Sequence, residues 1–150
     1  MEAIIFVGIQ GAGKSSFFRE RFFDTHVRIN LDMLGTRQKE EKLLHACLEG
    51  GQSFVIDNTN PLPVDRQRYL QPARAKGFRT IAYFFQTTLR DAMHRNNLRT
   101  GKKKVPAPAV AATLKKILPP ALEEGFDEVH VIELTEDRGF VDLSSTGPQT

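Results

Sequence analysis

Short apolar runs alternate along this chain with longer stretches whose apolar positions recur every three or four residues. Ala3–Val7, His26–Asn30, Ser53–Ile56, Arg79–Phe85 and Glu128–Leu134 have the length and the β-branched or aromatic content of strands. Between them the period changes. Ser16–Phe23, Thr36–Glu49, Pro63–Lys76, Thr88–Thr100 and Pro106–Leu118 read as helices, with Leu43, Leu44, Cys47 and Leu48 on one face of the second. Val110, Leu114, Ile117 and Leu118 form a stripe on the fifth. Gly50-Gly51, Gly77 and Pro119-Pro120 supply the stops. Strands alternating with helices from the first residues predict an α/β three-layer sandwich, with a five-stranded, mainly parallel sheet covered by helices on both faces. With right-handed crossovers, the polar residues that follow each strand emerge at one edge of that sheet.

The stretch between the first strand and the first helix is Gly8-Ile9-Gln10-Gly11-Ala12-Gly13-Lys14-Ser15. It matches G-x-x-x-x-G-K-[ST] without a mismatch and sits in the strand–loop–helix context that a phosphate cradle needs. Glycines admit backbone angles that turn successive N–H groups toward an anion, and the helix start adds its unpaired N–H groups. Gly8, Gln10, Gly11, Ala12, Gly13, Lys14, Ser15 and Ser16 are therefore predicted to bind a nucleoside triphosphate. Lys14 is placed at the terminal phosphates and Ser15 on Mg²⁺. No Asn-Lys-x-Asp stretch for guanine selection is present, which favours ATP.

Two strand ends carry acids. Asp57, after Phe54-Val55-Ile56, suits a Mg²⁺ carboxylate beside the cradle serine, although Asp-Asn-Thr-Asn-Pro is also strong turn chemistry. Asp32, after the second strand, suits a general base that orients an acceptor hydroxyl and takes its proton. The alternative is the N-cap of the next helix. Arg95 and Arg99 lie four apart before the lysine-rich loop Gly101–Val105. Guanidinium charge there can meet a transferring phosphoryl group, or it can be a solvated helix face.

The net charge of +3 conceals a segregation. Residues 89–118 carry eight Lys/Arg against Asp91, a net of +7, whereas residues 119–150 carry eight acids against Arg138, a net of −7. Such a basic block points to phosphate in the nucleotide, in a polyanionic acceptor, or in both. The chain has 150 residues, the length of one domain. We place that domain at residues 1–143, with a basic helical lid at about 90–118 and a disordered tail at 144–150. The single cysteine, Cys47, excludes an internal disulfide and reads as a core residue. No apolar run approaches the ~18 residues of a membrane span, and the N-terminus enters a strand directly. Together these lead us to expect a cytoplasmic protein without a membrane partner. The oligomeric state is left open by the sequence.

The order of these pieces resembles the P-loop kinase domain of phage-type polynucleotide 5′-hydroxyl kinases and the small bacterial predicted kinases around them. The resemblance rests on the cradle and on Asn30-Leu31-Asp32. It rests also on Ile56-Asp57-Asn58-Thr59-Asn60-Pro61, and on Arg95-Asn96-Asn97-Leu98-Arg99 with Val105-Pro106. It implies Asp32 as the base, Arg99 as a lid arginine on the donor phosphates and Arg95 in its support. The phage-type pattern has an arginine for the acceptor phosphate three residues after the base. Here that position is Gly35, so Arg37, Asn60 and Arg66 are the candidate acceptor-binding residues. The reading favoured is an ATP-dependent kinase acting on a nucleic-acid 5′-hydroxyl. A small-molecule kinase is the first alternative and a nucleotide-binding regulatory ATPase the second.

Overall fold

The computed structural model describes residues 1–98 and 104–144. Its strands are β1 (Glu2–Val7), β2 (Val27–Ile29), β3 (Phe54–Ile56), β4 (Arg79–Phe85), β5 (Glu128–Thr135) and β6 (Gly139–Asp142). Its α-helices are α1 (Lys14–Arg21), α2 (Leu31–Leu34), α3 (Arg37–Gly50), α4 (Pro63–Ala75), α5 (Leu89–Asn97) and α6 (Ala107–Lys116). The strands form one sheet in the order β2-β3-β1-β4-β5-β6, parallel except for β6.

β1 explains the three layers. Ala3, Ile5 and Val7 alternate with Ile4 and Phe6, and all five are fully buried because the strand is covered on both faces. The first set packs with Leu44, Cys47 and Leu48 of α3 and with Tyr69, Leu70 and Ala73 of α4. The second packs with Phe17 and Phe18 of α1, Ala92 of α5 and Val110 of α6. Phe6 centres an aromatic group that includes Phe17, Phe22, Tyr83 and Phe85, mostly edge-to-face or tilted. Removing a ring so enclosed costs about 3–5 kcal/mol. Cys47 is a core residue, as expected, and burial raises its thiol pKa, which keeps it an inert apolar group.

Two elements depart from expectation. The sheet has six strands rather than five. Gly139–Asp142 is short and lies in an acidic stretch, and its strand state comes from antiparallel pairing with β5 across a tight turn. α2 is a single turn that no apolar period announces. It starts where the Asn30 side chain accepts a hydrogen bond from the Met33 N–H, and it ends at Gly35 with φ +91°. α5 reaches Asn97 and Leu98 caps it, and residues 99–100 of the expected helix lie outside the described residues. So do 145–150 of the expected tail, whereas Ser144 still donates its backbone N–H to Asp142 Oδ1 at 2.9 Å.

Candidate phosphate-binding site

Ile29, Ile56 and Ile5 lie in register, so β2, β3 and β1 release Asn30, Asp57 and the run into Gly8 at the same edge. The loop Gly8–Gly13 then curls over that edge and is almost wholly buried. Gly11 and Gly13 have φ of +84° and +99°, the left-handed region where a side chain is strained. Both are tightly enclosed as well. A Cβ on Gly11 would lie 2.5 Å from the Ala92 carbonyl oxygen of α5, and one on Gly13 would lie 3.1 Å from the Phe140 ring of β6. The loop is thus clasped between α5 and the β5–β6 hairpin. Arg95 of α5 donates to the Gly11 carbonyl at 3.0 Å and to the Leu134 carbonyl at 3.3 Å, which ties α5 to both.

Lys14 opens α1 and is buried, its ammonium donating to the Gly8 and Ile9 carbonyls at 2.9 Å each. The loop therefore curls around its own lysine, which holds the charge at the mouth of the helix. Ser15 follows, and its hydroxyl donates to Asp57 Oδ2 at 3.0 Å. Asp57 is 2% exposed and bonds across to the cradle at Ser15. Two hard oxygen groups side by side suit a small divalent cation. Ser16 is exposed and accepts from Arg19.

Sequence reasoning missed the third member of this cluster. Arg28 projects from the middle of β2, donating from Nε to Asp57 Oδ2 at 2.8 Å and from Nη2 to Ser15 Oγ at 3.1 Å. The available signal was a lone charge between Val27 and Ile29 in an otherwise apolar strand.

The segment after β3 is fastened throughout. The Asn30 side chain donates to the Asp57 carbonyl, the Gly8 N–H to the Thr59 carbonyl and the Asn60 side chain to the Phe6 carbonyl. Asn58 Oδ1 accepts from the Leu31 N–H at 2.9 Å, which sets the start of α2. Asn58 Nδ2 in turn donates to Glu40 and to the Tyr69 hydroxyl, both buried. Burial, and then the charge of Glu40, raise the Tyr69 pKa and keep its hydroxyl protonated. At the end of α5, the buried Asn96 side chain exchanges hydrogen bonds with both backbone groups of Val105.

The predicted acceptor residues fare unevenly. Arg37 is half-exposed at the rim and donates to Glu40 at 2.8 Å and to Tyr69 at 2.9 Å. Arg66 and Asn60 belong to the scaffold instead. Arg66 is fully buried and spends its guanidinium on the carbonyls of Asn60, Pro61 and Leu118 and on the Glu124 carboxylate. Asn60 is buried too, in a left-handed turn at φ +46°. A guanidinium saturated inside the protein has no donor left for a ligand. Asp32 lies exposed in the first turn of α2 with no partner among the described residues, and the cap of the expected helix that the sequence allowed it is made by Thr36. Arg99 lies outside the described residues.

A parallel sheet in this strand order, with a glycine cradle running from β1 into α1, defines the class of P-loop nucleotide-binding proteins. Within that class the chain belongs to the AAA domain family AAA_33, whose model matches residues 4–120. Over 148 residues it is 30% identical to a protein of Acanthamoeba polyphaga mimivirus named bifunctional polynucleotide phosphatase/kinase, covering 94% of this chain and 35% of that one. A Schizosaccharomyces pombe protein named bifunctional polynucleotide phosphatase/kinase is 28% identical over 135 residues, covering 87% and 33%. The chain thus spans about a third of the length of these two relatives. Among solved structures, Chaetomium thermophilum Kti12 in complex with ADP-AlF3 shares the fold, with a TM-score of 0.66, 13% identity and 91% of each chain covered. The protein is a P-loop kinase-like domain. No helix among the described residues is long and apolar enough to cross a membrane.

Proposed function

We propose that the protein is an ATP-dependent kinase that transfers the γ-phosphoryl group to the 5′-hydroxyl of a polynucleotide. The observation that carries this reading is the exposed carboxylate of Asp32, set on α2 at the same sheet edge as the phosphate cradle. A protein that only binds nucleotide needs no second carboxylate there. A kinase needs one to orient an acceptor oxygen.

In the reaction proposed, the N–H groups of Gly8–Ser15 and the Lys14 ammonium hold the donor phosphates. Asp32 accepts the proton of the acceptor hydroxyl as its oxygen bonds to the γ-phosphorus. The bond from that phosphorus to the bridging oxygen breaks, and ADP leaves with the bridging electrons. Ser15 and Asp57 would hold Mg²⁺, which when bound offsets charge on the donor phosphates. Arg95, fixed to the cradle at Gly11, positions the lid so that Arg99 can meet the transferring group. The names of the two relatives and the basic lid support a polynucleotide acceptor, and Arg37 at the rim is the remaining candidate for its phosphate.

Phosphate transfer from labelled ATP to a 5′-hydroxyl oligonucleotide tests the proposal, with nucleosides and sugars as parallel acceptors. The oligonucleotide should be the preferred acceptor, its affinity falling steeply as salt rises because each neutralised phosphate releases counterions. Turnover confined to a nucleoside or sugar, with no oligonucleotide binding at low salt, would replace it with a small-molecule kinase. Lys14→Ala should abolish transfer, and Arg99→Ala should lower turnover far more than ATP affinity.

A further inference from the structure

The cluster of Ser15, Asp57 and Arg28 contains more than a cation site requires. Asp57 Oδ2 already accepts two hydrogen bonds, from Ser15 and from Arg28 Nε, and Ser15 Oγ accepts a third from Arg28 Nη2. The three side chains form a closed ring in which one carboxylate, 2% exposed, is neutralised by one guanidinium. A divalent cation drawn to the same two oxygen groups would meet a fixed positive charge beside them and a carboxylate whose charge is already spent. Arg28 has somewhere else to go. Its side chain is 29% exposed, and its Nη1 faces the Met33 sulfur of α2 at 3.8 Å, on the solvent side of the pair.

We propose that Arg28 is an internal counter-ion of the cation site. It and a divalent cation compete for the Ser15–Asp57 pair, and cation binding displaces it toward α2. This rests on the reading of Ser15 and Asp57 as the Mg²⁺ residues. Until the cation arrives, Arg28 keeps the buried carboxylate paired and the serine oriented, so the site is ordered in advance but costs the cation part of its affinity.

Mn²⁺ serves as the probe, with free ion counted by electron paramagnetic resonance in the presence of ADP. Arg28→Gln should tighten Mn²⁺ binding by about tenfold or more, since a competing unit charge is removed from a low-dielectric site. Unchanged or weaker binding in a folded variant would overturn the proposal. A second measurement needs no variant. The Arg28 Nε–H resonance of the wild-type protein should move to the position of a solvent-exposed arginine on saturation with Mg²⁺ and ADP, and a resonance that stays in place would overturn the displacement. Asp57→Asn separates the two readings. If it abolishes Mn²⁺ binding, the cation site stands and only the Arg28 results decide the competition. If it binds Mn²⁺ as tightly as wild type, the cation site itself is elsewhere and both readings fall.

Discussion

The exits of β3 and β2 lie side by side, and they are built in opposite ways. After β3, Asp57, Asn58, Thr59 and Asn60 each bond to another element, and Arg66 beneath them is fully buried. After β2, Asn30 caps a single turn and Asp32 stands in water with no partner among the described residues. The difference follows from burial. A polar or charged group removed from water must be paired, and pairing makes it rigid. A carboxylate left in water keeps its lone pairs for a molecule that arrives later. The β3 exit can therefore hold a cradle in place, and the β2 exit can take part in exchange of a proton.

Stability and turnover should break along that line. The largest effect expected is from Arg66→Ala, which removes the guanidinium shared by Glu124 and three carbonyls. Losing one partner of such a buried pair costs about 3–5 kcal/mol, measurable by urea unfolding. A loss below about 1 kcal/mol would show that the β3 exit does not depend on it. Asp32→Asn should do the reverse, cutting turnover by ~10²-fold while stability stays within about 0.5 kcal/mol of wild type. If turnover survives and the Mg²⁺ dependence shifts, the two acids have been assigned the wrong way round.

Tyr69→Phe is the smallest and sharpest of the three. It removes the hydroxyl shared by Arg37, Glu40 and Asn58, so about 1–2 kcal/mol should be lost. Because Asn58 sets the start of α2, turnover should fall a few-fold while ATP affinity is kept. The pH dependence gives a second check. The folded protein raises the Tyr69 pKa above its ordinary 10, so this stabilisation is complete below pH 10 and is lost as pH rises through the folded value. Tyr83, pushed to about 12 by burial and then by Glu2, adds to the same alkaline limb. Tyr69→Phe should make that limb shallower without removing it. An unchanged limb would mean that Tyr69 is not held as a neutral donor.

The cradle and all five expected strands were legible because each is a local pattern. Gly8–Ser15 combines glycine conformational freedom with a helix start, the runs around Ile5, Val55 and Ile81 are apolar enough for a sheet covered on both faces, and those around Ile29 and Val131 alternate as half-buried strands do. Parallel order then brought Asp57 to Ser15, as the strand-end rule requires. The roles of the arginines were not legible. Arg28, Arg37, Arg66 and Arg95 carry the same side chain. One closes a ring with Asp57, one sits at the rim, one is sealed in the core and one clamps Gly11. β6 and α2 were equally silent, the first made by pairing with β5 and the second by an asparagine cap. Periodicity and glycine placement act between near neighbours, so the sequence by itself determined the layers, the strand edge and the phosphate loop. The use of each charge depends on which distant carboxylate or carbonyl lies within about 3 Å and on how much water is left, and only the tertiary structure decides that.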